Sequence, residues 1–483
     1  MKQKSLFINV IYNFIYTSLN LFYPVIIAPY VSRTLGAENL GKVNFASAVV
    51  NWFVLFAVFG TGTYGMREIA KVRDDKKQLS KVFSEIFIIN IITSLLATIS
   101  YLLFIFNVER IKDELPLFLI MSASIILNML SIDWFFQGIE EYRYITIRNV
   151  IIKVISLFFI FLFIQERKHY IIYGLISVLG TSLNGVLNFI YSRKFVDLKF
   201  KSINPFRHLK NLKVFFVHTL VVNLYTNFDQ VLLGFLSDTK SVAFMNRSKA
   251  IVSISISFAN AISNATLSRS SYYNVNDKIK FNELMNLVPN YILWITIPIT
   301  IGCICLSSNI MYLLGGHEFL EASKLLQIIA ITIIFIPLTT YLQNQVIIAT
   351  GHERIGLFCS VISGLISFLL NFSLIPILGF IGAGIVQVIS ELSSVGLRYY
   401  IIKCRLGYRG IRFFNKSSFS YLIAAILMGV VVLFINNMID DYLVSFIISV
   451  LVGAIVYIIS LLIIREKYSM LMLIKIYNKI RKT

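Results

Sequence analysis

Cysteine is scarce in this chain: four residues among 483, Cys303, Cys305, Cys359 and Cys404. Three fall inside long apolar runs and the fourth beside a loop, so they read as small hydrophobic side chains and exclude a disulfide framework or a thiolate metal site. Histidine is equally thin: His169, His208, His218, His317 and His352 are scattered and form no ligand pattern. Charged residues make up only 14% of the chain against 57% apolar, and acidic side chains number 24 against 44 Lys and Arg. Soluble domains are about a quarter charged, so lipid has to be the main solvent here. GxxxxGK(S/T), HExxH, paired CxxC and GxSxG are all missing, which removes the phosphate-cradling loop of an ATP-driven motor and the common hydrolytic sites. GFIGAG, with Gly379, Gly382 and Gly384, joins two apolar runs without a strand-turn-helix setting, so close helix packing explains it better than a nucleotide. No cofactor, metal or catalytic residue is called for.

Apolar length is what the chain has in abundance. Charge-free stretches such as Ile86 to Val108, Leu284 to Gly316 and Tyr442 to Ile464 recur along it. Each is long enough to cross about 30 Å of hydrocarbon as a helix. The first run starts near Leu6 and continues into Pro24 and Pro29 without a small-residue cleavage site, so it is expected to remain as the first span. Spans are placed at roughly 7–31, 40–66, 82–106, 115–137, 145–164, 170–191, 214–236, 242–268, 285–308, 325–349, 355–377, 382–402, 418–436 and 442–464. The expected fold is an all-α integral membrane protein of about fourteen transmembrane helices.

Sorted by that layout, 33 of the 44 Lys and Arg lie on the amino-terminal side or at its span ends, eight on the other, and Lys153, Arg247 and Lys249 within spans. Positive side chains are retained on the cytoplasmic face, so both termini are predicted to be cytoplasmic, in a bacterial inner membrane. The net charge of +20 is then a topology signal, with attraction to anionic membrane lipids as a second effect and no nucleic-acid partner.

Ser192 to Lys213 is the longest polar interruption, rich in Lys and Arg and containing Pro205. It divides the chain into an N-terminal lobe of spans one to six (1–191), a basic cytoplasmic linker (192–213), a C-terminal lobe of spans seven to twelve (214–402), two extra spans (403–464) and an amphipathic cytoplasmic tail (465–483). A weak internal repeat fits this plan: Ala37 to Val50 can be laid on Thr239 to Val252, pairing Asn44 with Asn246. Pro24, Pro29, Pro289, Pro298, Pro337 and Pro376 fall in or near spans, as hinges or simply as the prolines membrane helices tolerate.

A charge near the bilayer centre costs about 3 kcal/mol on insertion scales, so each one requires a reason. Asp229 and Lys249 lie equally far from a turn near Thr239 and are expected at similar depth, near the midplane, with Arg247 two residues from Lys249. Either Asp229 and one cation form a fixing salt bridge, or Arg247 and Lys249 line a wet cavity that binds an anionic substrate. Lys153 in the fifth span, with Arg33 and Arg269 near span ends, adds to the second reading, although each alone reads as a snorkelling residue. Glu391 and Arg398, two turns apart, suit an internal polar stripe or a proton or cation site. Asp133, beside Trp134 at a span end, needs only solvent or a capping role.

Several segments resemble one family. SRTLGAENLGKVNFA, FGTGTYGMREIAKVRDD and KVFSEIF between Tyr30 and Phe87, DWFFQGIEEYRYITIRN from Asp133, QNQVIIATGHERIGL and NFSLIPILGFIGAGIVQVISE are similar to the polysaccharide flippases (Wzx type) of the multidrug/oligosaccharidyl-lipid/polysaccharide exporter superfamily. The resemblance spans residues 30–400 and implies two six-helix lobes plus two C-terminal helices, with no enzymatic activity. It also implies a polyprenyl diphosphate-linked oligosaccharide as substrate, with a polysaccharide polymerase and a chain-length regulator as partners in making O-antigen, capsule or exopolysaccharide. Membrane voltage, H⁺ or Na⁺ are all open as the drive. A cation-coupled multidrug exporter is the alternative, and the scarcity of acidic residues in the first lobe weighs against it. A polytopic glycosyltransferase or polymerase is a more distant one, because the external loops are short, the longest running from about Asn309 to Lys324.

Overall fold

The computed structural model describes residues 6–198, 203–408, 411, 413 and 415–470. Among these residues there is helix and no strand. Eleven helical stretches are long and apolar enough to cross a membrane. Two of them, Leu6–Val58 and Glu353–Cys404, are interrupted at Gly36 (φ 76°) and Gly379 (φ 54°), positive dihedrals that a side chain would strain. The chain folds back at each. A Cβ on Gly382 would lie 2.4 Å from the Leu374 carbonyl oxygen, a separation that a continuous helix would stretch to about 12 Å. On the two sides of Gly36, Tyr30 donates to the Ile164 carbonyl (2.6 Å) and Asn39 to the Arg167 carbonyl (2.9 Å), so both reach the same turn. Counting the two hairpins as four helices, and adding Phe206–Thr226 with its continuation Phe228–Leu236, gives the fourteen spans expected from apolar length. Pro24, Pro29, Pro289, Pro298, Pro337 and Pro376 lie inside helices, and glycine makes these two reversals.

Several span ends differ from the sequence expectation. The second span ends at Val58, not 66, because Phe59 and Gly60 both take positive φ (44° and 78°) and start a separate amphipathic helix, Thr61–Val72. The basic stretch before the seventh span is helical from Phe206, where Pro205 supplies a preset φ at the helix start. Part of the region read as an external loop is the helix Ser307–Gly315. Residues 199–202, within the basic linker, and 471–483, most of the tail read as amphipathic, lie outside the described residues.

The chain forms two compact units, Met1–Ala243 and Phe244–Thr483. In the first, an aromatic knot of Tyr64, Phe83, Phe87, Trp134, Phe135 and Phe136 joins the helices Thr61–Val72, Lys76–Asn107 and Asp133–Gly138. The seventh span packs on the second through edge-to-face pairs Phe45–Phe235 (5.0 Å) and Trp52–Phe228 (4.9 Å). In the second unit, the hairpin Lys416–Met438 and Tyr442–Ile463 lies against Lys278–Cys305, where Tyr457 donates to the Trp294 carbonyl (2.9 Å). Large apolar side chains such as Leu96, Ile99, Leu103 and Phe158 point outward, as a lipid solvent allows.

After the last span the chain turns back onto this unit. Buried Glu466 accepts from the backbone N–H groups of Ser469 (2.8 Å) and Tyr468 (3.1 Å), while Tyr421 donates to it at 3.3 Å. Burial pushes its carboxyl up, but these donors outweigh that and hold it below the usual carboxylate range. Glu466→Gln is therefore expected to lower stability by about 1–2 kcal/mol at neutral pH, read as a lower melting temperature in detergent. A depressed folded-state value makes the contribution full above the ordinary glutamate pKa of about 4.3 and lost as pH falls through the folded value. Equal melting of wild type and variant at pH 7 would remove this role.

Candidate functional site

Arg247 and Lys249 sit on the long helix Thr239–Asn276, the first buried and the second half-buried. Lys249 belongs with a polar group inside the C-terminal unit. The charges of both Arg398 and Lys249 act on Glu391, which is buried on the second arm of the Gly379 hairpin. Arg398 itself is buried among neutral acceptors: Ser360 Oγ at 2.7 Å, Gln343 Oε1 at 3.3 Å, and the carbonyls of Ser394 (3.2 Å) and Gly356 (3.4 Å). Its planar fork thereby pins both arms of the hairpin to the π-helical turn Leu342–Ile348. That turn is wound with an i to i+5 bond, Ala349 N–H to the Asn344 carbonyl at 3.2 Å. Ser270 of the long helix donates to the Gln345 carbonyl (2.8 Å), so the helix that carries Arg247 and Lys249 is stitched to the same turn.

The other candidates are spread more widely. Asn246 is half-buried and Arg269 exposed, the latter near the end of the long helix. In the N-terminal unit, Asp229 is buried at the start of Phe228–Leu236, where its Oδ1 accepts from the Gln230 N–H (2.9 Å). Lys153, half-buried in mid-span, places its ammonium 4.5 Å from the ring centre of Tyr23, a cation–π contact. Arg33 is exposed, one turn before Gly36. Asn44 lies on the helix after Gly36, and its Nδ2 is buried without an acceptor among the described residues.

Two buried clusters escaped the sequence reading. Asp133, taken as a capping or solvated group, instead accepts from Arg148 Nη2 (3.0 Å) and Asn188 Nδ2 (2.7 Å), with Arg148 also bonded to Asn188. Glu85, fully buried, meets His208 Nε2 (2.9 Å), Arg207 Nη2 (2.5 Å) and the Asn204 N–H (2.9 Å), while His208 Nδ1 faces the Tyr64 hydroxyl (2.7 Å). With Nε2 protonated, His208 donates to Glu85 and accepts from Tyr64. These contacts hold the start of the seventh span to the third. The only sequence hint was an ionisable residue inside or beside each apolar run.

An all-α, polytopic membrane protein with this helix order has the fold of lipid flippases and exporters. Over 94% of this chain and 98% of the other, it superposes on the structure titled "Lipid II flippase MurJ, inward closed conformation" with a TM-score of 0.74 at 21% identity. The profile described as "Polysaccharide biosynthesis protein" matches residues 6–268, more than half of the chain, and the chain belongs to that family. A second profile, MatE, matches residues 215–373. Among curated relatives, "Putative O-antigen transporter" of Escherichia coli (strain K12) is 23% identical over 82% of this chain and 96% of its own length. "Capsular polysaccharide biosynthesis protein CapF" of Staphylococcus aureus is 22% identical over 81% and 98%.

Proposed function

We propose that this protein is a flippase that carries polyprenyl diphosphate-linked oligosaccharide units from the inner to the outer leaflet of the cytoplasmic membrane. The observation that carries this reading is family membership over residues 6–268, together with full-length relatives named for O-antigen and capsule. A sugar diphosphate cannot cross hydrocarbon unaided, because its charges and hydroxyls would lose their hydration. Buried Arg247, and Lys249 near Glu391, supply positive charge inside spans, the type of lining a diphosphate needs in a cavity reached by alternating access. With the cytoplasm negative, outward movement of an anionic head is favoured by about 2.3 kcal/mol per charge per 100 mV. Voltage suffices in sign; Glu391 is the group to test for H⁺ or Na⁺ coupling. The cytoplasmic placement of both termini belongs to this reading, as does a polymerase that consumes the product.

The test is flipping of a lipid-linked oligosaccharide by purified protein in vesicles. Arg247→Ala with Lys249→Ala is expected to slow it at least about tenfold, the loss that corresponds to 1.4 kcal/mol of headgroup interaction. An unchanged rate would remove the cationic role. The MatE match favours one second reading, a cation-coupled drug exporter. Efflux of a lipophilic cation from the same vesicles, without flipping, would establish it.

A further inference from the structure

The N-terminal unit carries a groove of about 760 Å³ on three helices. Arg143, Ile147 and Ile151 line it from the span Tyr142–Phe163 at i, i+4 and i+8, so they form one stripe about 12 Å long. All three are exposed, the isoleucines at 43% and 51%. Leu187 and Tyr191 face them from Tyr170–Ser192, and the third wall is Ile8 and Tyr12 of the first span. Ile147, Ile151 and Leu187 give it an apolar wall beside Tyr12, Tyr144 and Tyr191, with Glu141 and Arg143 at the start of the span Tyr142–Phe163. Tyr144 stacks on Tyr191 (3.9 Å between ring centres), and the Lys194 ammonium lies 4.8 Å from the Tyr191 ring. Glu141 contributes one negative charge, and Arg148 behind it is matched by Asp133. Glu141 thus offsets Arg143 in the lining, and Lys194, outside the lining but over the Tyr191 ring, adds one positive charge beside the groove.

A stripe of about 12 Å fits the roughly 15 Å of hydrocarbon in one leaflet and falls well short of a full span. Basic side chains and tyrosines at interface level are the groups that hold a lipid phosphate there. From the charge complementarity and the one-leaflet depth we infer that the groove binds a resident anionic phospholipid, with an acyl chain between Ile147, Ile151 and Leu187 and its phosphate against Arg143. This lipid is a bound component of the protein and is not the transported molecule, so the inference stands apart from the flippase reading.

Native mass spectrometry of the full-length protein in detergent, titrated with phosphatidylglycerol and in parallel with phosphatidylethanolamine, tests it. Wild type is expected to retain one phosphatidylglycerol. Arg143→Ala, which removes an exposed side chain, and Ile151→Trp, which fills the groove, are each expected to weaken retention about five- to tenfold. Phe158→Ala, on the same helix but outside the groove, is expected to leave it unchanged. Wild-type retention by both groove variants would overturn the inference. Equal retention of phosphatidylethanolamine would overturn it as well, and so would one-for-one displacement by a polyprenyl diphosphate-linked oligosaccharide, which would assign the groove to the substrate.

Discussion

Gly41→Ala is expected to slow flipping about five- to 150-fold while leaving the protein folded. A Cβ at this position would lie 1.9 Å from the Thr239 carbonyl oxygen and 2.4 Å from its carbon, backbone atoms that no rotamer change can move aside. The contact joins the helix after Gly36 to the start of Thr239–Asn276, the two helix starts that the internal repeat aligns. Arg110 reinforces the same end by donating to the Ser237 carbonyl at 2.9 Å. Under the alternating access proposed above, contacts at one end of the pathway part as that end opens, and the Gly41–Thr239 approach is tested here as such a seal. Overpacking by one methyl costs about 1–3 kcal/mol, equivalent to about five- to 150-fold in the balance between conformers. In a background without the four native cysteines, Ser237→Cys should then react faster with a membrane-impermeant maleimide in the Gly41→Ala protein. Gly62→Ala is the control, since a Cβ there meets nothing within 4 Å. If Gly41→Ala flips and labels like wild type, the seal has no part in transport.

The second large effect concerns stability. Asp133→Ala is expected to cost about 3–5 kcal/mol, because it leaves a buried guanidinium with neutral acceptors only and no counter-charge. Only 3% of the Arg148 side chain is exposed, against 29% of Asp133. The two partners are thus not equivalent. Arg148→Met leaves a carboxylate that can still hydrate, and its cost should be nearer about 1–3 kcal/mol. Replacing both, Asp133→Leu with Arg148→Met, should recover much of the loss, since a matched apolar pair removes both desolvation penalties. Melting in detergent gives the order: Asp133→Ala lowest, then Arg148→Met, with the double variant above Asp133→Ala. Equal melting of the two single variants would contradict the burial argument.

Apolar length along the chain determined the fold class by itself. Whether a segment spans depends on the hydrocarbon thickness it must cover, a property of some 20 consecutive residues that can be read without knowing any neighbour. The fourteen spans follow from it, and the reversals at Gly36 and Gly379 fall where glycine-bearing gaps separate the expected spans. The tertiary structure alone decided the polar partnerships. Asp133 reads as a span-end cap until Arg148 and Asn188 arrive from two other helices, and His208 reads as a stray histidine until Glu85 and Tyr64 close on it. Lys249, Glu391 and Arg398 come within electrostatic reach although 142 positions separate the first two. A buried charge is stabilised by whichever donor or acceptor the packing brings to about 3 Å. That distance is fixed by how helices remote in sequence meet, and no local pattern of residue types encodes it.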